Sequence, residues 1–510
     1  MSSPSPSPPP TRVSRAVADE SDETSVLAAF RSARRLRVEL LAGLAVALAL
    51  IPEAISFSIL AGVDPRLGLY ASFTMAVTIA VVGGRPAMIS AATGAVALVV
   101  YPLARDHGVD FLIAAVILAG VMQIALSVVG VARVMRFIPR SVMVGFVNAL
   151  AILIFLAQVP ELIDVPFVVY PLVALGVGVI AVLPRVTTVV PAPLVVVVGV
   201  SLLVLVMGWD IPTVGDKGEL PDSLPRWLLP DVPYTFETLR IIAPYAFAMA
   251  VVGLLESLMT AKLVDDLTDT HSDKTREGWG QGVANVVTGI FGGMGGCAMI
   301  GQTMINVKAS GARTRLSTFA AGVFLLVLVL VLGDVVAGIP MAALVAVMVM
   351  VSVGTMDWNS IRPSTLRRMP FSATAIMVVT VATTVGTHNL AVGVGVGVVT
   401  AMVFFARRVA HFTEVVLVEH PDPDTCVYEV RGVLFFASSN DLVYQFDYAN
   451  DPSRVVIDLS AAQIFDSSTV AALDAIGTKY RSRGKEVEII GLNEPSLRWH
   501  ELSGSLGAGH

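Results

Sequence analysis

MISAATGAVALVV, residues 88–100, and MGGCAMIGQTMIN, residues 294–306, are short segments rich in Gly, Ala, Ser and Thr, each preceded by a Gly-Gly pair. Each follows an apolar run carrying one carboxylate, Glu53 before the first and Glu256 before the second. From Glu53 to Thr93 is 40 positions (93 − 53), and from Glu256 to Ile300 is 44 (300 − 256). Similar spacing in two halves of seven apolar runs predicts an inverted repeat, because an odd number of crossings per copy turns the second copy over. Short, Gly-interrupted segments at matching positions point to a membrane carrier's binding site. There, broken helices present backbone N–H groups at the bilayer midplane, where an anion replaces missing water. The competing explanation is that Gly and Ala merely allow close helix packing.

Outward from these segments, runs long enough to span recur between islands of Pro, Gly and charge. We place them near 38–60, 66–83, 88–103, 110–131, 141–160, 167–183 and 191–209. After a polar stretch from Asp210 to Arg240, a second set lies near 241–264, 277–292, 294–308, 315–336, 340–356, 371–388 and 390–408. With about fourteen spans, both ends of the domain face one side. Arg31, Arg34, Arg35 and Arg37 precede the first span, and Arg133, Arg136 and Arg140 follow the fourth. Arg362, Arg367 and Arg368 follow the twelfth, Arg407 and Arg408 the last. All four clusters fall on one side, which the positive-inside rule makes cytoplasmic. The acidic 210–240 loop falls outside.

Composition agrees. Of 510 residues, 55% are hydrophobic and only 15% charged, against about a quarter in soluble proteins. The deficit is confined to residues 38–410, which describes a polytopic membrane domain with soluble flanks. The net charge of −6 argues against a nucleic-acid partner, since no basic face offsets it. Cys297 and Cys426 form no disulfide framework, and the seven histidines show no metal-ligand spacing. Residues 1–37 open with a Pro/Ser tract too polar for a signal peptide, which predicts disorder on the cytoplasmic side. Residues 411–510 read as a small α/β domain. Strand-like VYEVRGVLFFAS (427–438) and VVIDLS (455–460) lead to a helix from Ser467 through Tyr480, then a strand EVEIIG (486–491).

Several separated motifs carry a resemblance. IPEAISFSILAGVDPRLGLYAS (51–72) resembles the first-span signature of the SulP anion-transporter family. GLLESLMTAKLVDD (253–266), GQGVANVVTGIFGGMGG (280–296) and GARTRLS (311–317) resemble its second-half segments. VVIDLSAAQIFDSSTVAAL (455–473) is similar to the core of the STAS domain this family carries at its C-terminus. The resemblance covers residues 30–500. It implies a seven-plus-seven inverted repeat of uracil-permease type in the inner membrane. One bundle, the core, would comprise spans 1–4 and 8–11; the other, the gate, would comprise spans 5–7 and 12–14 and scaffold a homodimer. The substrate would lie between the half-helices of the third and tenth spans, and transport would move core against gate. Family substrates include sulfate, bicarbonate, chloride, oxalate and dicarboxylates.

On this layout the candidate substrate-binding residues are Ala91, Ala92, Thr93 and Gly94 in the third span, and Ala298, Met299, Ile300, Gly301 and Gln302 in the tenth. Many members carry Arg where this chain has Gln302, and a neutral amide supplies no charge to an anion. Binding then rests on helix dipoles, which disfavours divalent sulfate. Phe57 is a candidate wall of the pocket. Glu256, deep in its span, is read as a functional group able to take up or release a proton as its surroundings change. In resembling proteins this position serves proton or sodium coupling; here Glu favours the proton. Thr260, at i+4 on the same face, either assists a cation or bonds back to its own helix; Ser257 points elsewhere. Glu53 stands where relatives commonly carry Gln, and either titrates with Glu256 or faces away from the site. Cys297 reads as a small packing residue.

Other patterns are set aside. Gly393-Val-Gly395-Val-Gly397 lies inside a span, so packing explains it. Asp466-Ser467-Ser468 resembles a phosphorylated STAS segment, but an N-cap accounts for it. No Ser/His/Asp triad or metal cluster appears, so an enzyme is not expected and no cofactor is called for. The expected function is coupled transport of a small anion. Its rivals are an uncoupled exchanger or channel of the same fold, and a nucleobase carrier, which the STAS-like tail opposes.

Overall fold

The computed structural model describes residues 25–130, 138–186, 191–410, 414–422, 424–436, 438 and 442–492. Most of the Pro/Ser-led N-terminus, with Arg133 and Arg136, lies outside them. The chain divides into two compact units, Met1–Gly397 and Val398–His510.

The described residues include fourteen helices at the positions of the expected spans. The first seven are α1 (Ala33–Leu60), α2 (Pro65–Val82), α3 (Gly94–His107), α4 (Val109–Val129), α5 (Arg140–Leu156), α6 (Val169–Val186) and α7 (Ala192–Met207). The second seven are α8 (Phe236–Thr268), α9 (Lys274–Ile290), α10 (Ile300–Met304, continued as a π turn over Ile305–Ala309), α11 (Arg315–Val331), α12 (Met341–Thr355), α13 (Phe371–Thr387) and α14 (Leu390–Ala410). Seven of these helices are long and apolar enough to cross a bilayer; α7, α11, α12 and α13 are shorter apolar helices. The remaining three, α3, α9 and α10, belong to the interior that builds the site.

Packing sorts the helices into two groups. α9 lies on α4 and α2, α11 on α1 and α2, and α8 on α4. Separately, α13 lies on α5, and α12 on α5 and α6. The seam between the groups is formed by α1 against α12 and α3 against α5. Gly393 and Gly397 of α14 press against Thr384 and Thr380 of α13, so the Gly-Val repeat serves close packing.

α3 and α10 each start partway through the domain from an extended strand of two residues. Ser90–Ala91 (β1) and Cys297–Ala298 (β2) pair antiparallel, Ser90 opposite Ala298 and Ala91 opposite Cys297. Irregular backbone at this depth is tolerated only when protein groups satisfy it, and they do. Asn285 accepts from Gly296 N (2.9 Å) and donates to Gly296 O (3.0 Å) and Gln123 Oε1 (2.9 Å). Gln281 donates to Ser90 Oγ (2.7 Å), Thr303 Oγ1 accepts from Ile89 N (3.0 Å), and Ser72 Oγ accepts from Ala92 N (3.3 Å). Gly295 turns the chain at φ +78°, a conformation open to glycine at no steric cost.

In the second unit the sheet order is β3 (Glu414–Asp422), β4 (Thr425–Leu434), β5 (Arg454–Asp458), β7 (Glu486–Ile490), with β6 (Ala462–Ile464) also on β4. β3–β4 is antiparallel and the other pairs are parallel. The helix α15 (Ser467–Arg481) packs on β7 and buries Leu473, Ile476 and Tyr480 against Val430 and Ile457. Asp466 caps it, accepting from Thr469 N (3.1 Å) through Oδ1 and from Phe436 N (2.6 Å) through Oδ2. The Asp466-Ser467 pair is thus an N-cap. Deleting residues 413–510 is expected to leave the membrane domain folded, because its buried core lies before them. A truncated protein that extracts only as aggregate in size-exclusion chromatography would contradict this.

Candidate functional site

A cavity of about 410 Å³ lies at the seam where the two helix groups meet. One wall is Glu53 and Phe57 of α1, Thr93, Gly94 and Ala95 at the start of α3, Glu256 and Met259 of α8, and Met299, Ile300 and Gly301 at the start of α10. The facing wall is Phe146, Val147, Leu150 and Ile154 of α5 with Val351, Gly354 and Thr355 of α12. The first N–H groups of any α-helix have no partner within it, so both half-helix starts direct partial positive charge here.

Of the residues expected from sequence, Phe57, Thr93, Gly94, Met299, Ile300, Gly301, Glu53 and Glu256 meet at this cavity. The others stand behind it. Ala91, Ala92 and Ala298 are fully buried in the β1–β2 brace, where they hold the half-helices rather than line the pocket. Gln302 is also buried away from the lining; its side chain meets the Glu53 carboxyl. The Thr260 hydroxyl donates to Glu256 O (2.8 Å). It therefore bonds back to its own helix and does not line the cavity. Ser257 Oγ accepts from Ala298 N (3.1 Å) and fastens α8 to β2.

Glu256 and Glu53 are both buried. Cys297 Sγ donates to Glu256 Oε2 at 2.9 Å, and Thr93 Oγ1 lies 3.1 Å from the same sulfur. Thr93 is the N-cap of α3, its hydroxyl oxygen accepting from Val96 N (3.4 Å). Among the described residues no Lys or Arg lines the cavity, and the two half-helix starts supply positive potential there.

Two contributions escaped the sequence reading. The α5 and α12 wall is apolar but for Thr355 and carries no charged side chain among the described residues. Glu277 is a further carboxylate, fully buried, accepting from Gly84 N (2.8 Å), Arg85 N (2.9 Å) and Gln281 Nε2 (2.8 Å). It clamps the loop before β1. Beside it Arg85 pairs with Asp265 (3.0 Å), which also holds Lys274 (2.5 Å).

The sulfate permease family model matches residues 36–175 and 172–380, and the STAS domain model matches 415–506. The chain belongs to the sulfate permease family. Its relative YbaR of Bacillus subtilis (strain 168), whose name assigns it sulfate transport provisionally, is 54% identical over 462 residues, covering 90% of this chain and 95% of YbaR. The transmembrane domain of a cyanobacterium bicarbonate transporter, BicA, is 26% identical at TM-score 0.62, covering 72% of this chain and 98% of that one. SLC26A9 shares the fold along 98% of this chain and 91% of its own, at TM-score 0.79 and 16% identity. As a family member, the chain is a multi-span anion transporter with a mostly helical membrane domain and a C-terminal STAS domain.

Proposed function

We propose that this transporter carries a small anion of the bicarbonate, sulfate or dicarboxylate class across the cell's inner membrane, coupled to a proton. α1–α4 and α8–α11 serve as the moving core, and α5–α7 and α12–α14 as the gate. The observation that carries this reading is the cavity in which two half-helix starts meet two buried carboxylates and no cationic side chain. Helix dipoles of about half a charge each suit a monovalent anion better than a dianion. A protonatable carboxylate beside an anion site admits the anion best when neutral, which ties proton to anion. Bicarbonate therefore leads, in line with the name of BicA; sulfate stands next, in line with that of YbaR. Both termini face the cytoplasm under the positive-inside rule, the assembly is a homodimer, and the STAS domain is regulatory.

A second cavity of about 340 Å³ supports movement of core against gate. It lies at the far ends of α1 and α5, lined by Ile59, Leu60, Tyr101, Leu156 and Met341. Uptake of labelled bicarbonate, sulfate and fumarate into proteoliposomes, with and without an inward proton or sodium gradient, tests the proposal. Proton-driven accumulation of one of them is expected. Uptake indifferent to both gradients would replace it with an uncoupled exchanger or channel.

A further inference from the structure

Thr93, Cys297 and Glu256 form a continuous chain of hydrogen bonds, with the thiol between the α3 N-cap and the α8 carboxylate. A thiol carries one proton, so it donates one way at a time. With Glu256 ionised, the carboxylate can only accept. The thiol hydrogen then points to Glu256, and sulfur is left to accept from the Thr93 hydroxyl. Thr93 Oγ1 already accepts from Val96 N, so its single hydrogen is spent on sulfur. With Glu256 protonated at Oε2, the oxygen that faces sulfur, the carboxyl O–H donates to sulfur and the thiol hydrogen turns to Thr93 Oγ1. The Thr93 hydrogen is released, and Thr93 lines the cavity.

We infer that Cys297 is a positioning residue that relays the protonation state of Glu256 to the anion site by reversing this chain. A protonated Glu256 frees the Thr93 hydroxyl to donate to the bound anion; an ionised Glu256 withdraws it. No proton travels along the chain, and only the donors turn. This deepens the proposed function and rests on its reading of Glu256 as the coupling group. Around Glu256, the titratable groups of the site are Cys297 on β2 and Glu53 of α1, on the same wall of the cavity. Glu277 and Lys274 of α9 and Asp265 of α8 are engaged in the clamp before β1. Lys262 and Asp266 of α8 pair with each other (3.5 Å), and Arg276 of α9 donates to Val82 O (3.1 Å). The charges of α3 (Arg105, Asp106, His107), α4 (Asp110) and α10 (Lys308) sit at helix ends.

The test is the KM for labelled sulfate, which stays ionised across the range, at acid and alkaline pH in the full-length protein. Cys297→Ala leaves Thr93 free at every pH. It is expected to keep the wild-type KM at acid pH and lower it about tenfold at alkaline pH, the worth of one hydrogen bond to a charged group. Thr93→Val is expected to raise KM about tenfold at acid pH and leave it unchanged at alkaline pH. Cys297→Ser restores wild-type behaviour, since a hydroxyl relays as a thiol does. A merely structural cysteine would not produce a gain in affinity confined to alkaline pH.

The infrared S–H band of Cys297 gives a readout independent of transport. It is expected to shift as Glu256 titrates and to stay fixed in Glu256→Gln. Cys426 serves as the reference, because burial pushes its thiol up to about 11. An S–H band that does not move with pH, or a Cys297→Ala profile parallel to wild type, overturns the relay even where proton-driven uptake is intact. A moving band in a protein that no proton gradient drives would uphold the relay and sink the coupling reading instead.

Discussion

Glu256→Gln is expected to abolish gradient-driven accumulation while leaving exchange of the anion across the membrane intact. The amide matches the carboxyl in shape and still offers an oxygen to the Cys297 thiol, which lies 2.9 Å from Glu256 Oε2. The brace between α8 and β2 therefore survives, including the bond from Ala298 N to Ser257 Oγ (3.1 Å). What the amide cannot do is bind and release a proton. One coupled proton crossing a gradient of one pH unit supplies about 1.4 kcal/mol, enough for about tenfold accumulation of a monovalent anion. In wild-type proteoliposomes the internal anion should rise about tenfold per pH unit; in the variant it should stop at the external concentration. Counterflow with the same anion inside and outside, which needs no driving force, should persist. Accumulation by the variant at the wild-type ratio would remove Glu256 from the coupling mechanism, and loss of counterflow as well would make it a structural carboxylate.

The membrane fold was legible because a bilayer leaves few options. Long apolar runs must be helices, and even the short third and tenth spans stood out by their Gly-rich composition. Span boundaries were less so. α9 begins at Lys274 and not near 277, since Asp273 caps it by accepting from Arg276 N (2.9 Å), and its first turn carries the buried Glu277. Charge there read as the end of a span, although that carboxylate binds the amides of Gly84 and Arg85. In the STAS domain β3 and β6 were missed. β3 is an edge strand with Leu417 and Val418 exposed, so no clean alternation marks it, and β6 has only three residues. β4 ends at Leu434, short of the expected Ser438.

At the site, the sequence pointed to the right segments but not to which side chains face the cavity. In a two-residue strand neighbouring side chains point to opposite faces. Ala91 and Ala298 lie in the paired strands and Gln302 in the first turn of α10, so composition alone did not separate them from Thr93, Met299 and Gly301. Cys297, which the sequence reads as a packing residue, donates to the Glu256 carboxylate.

The glycines of that tenth-span segment separate structure from function, and they supply the second large effect. Gly296→Ala is expected to lower thermal stability by several degrees and to abolish transport. A Cβ on Gly296 would collide with Ala91 O and approach Ala91 C at 2.6 Å and Ala92 N at 3.1 Å. All three are backbone atoms, of β1 and the residue after it, so no rotamer change relieves the clash. Separating the strands would expose buried peptide groups, each costing about 1–3 kcal/mol when unpaired, in addition to about 1–3 kcal/mol of overpacking. Gly301→Ala, five residues on, meets no atom within 4 Å and projects from a position that lines the cavity. It should leave thermal stability unchanged while raising KM, because the added methyl takes space from the anion. Thermal-shift and uptake measurements on the two variants would separate these roles. If Gly301→Ala melted early, or Gly296→Ala kept wild-type stability, the β1–β2 brace would not be what holds the two half-helices in register.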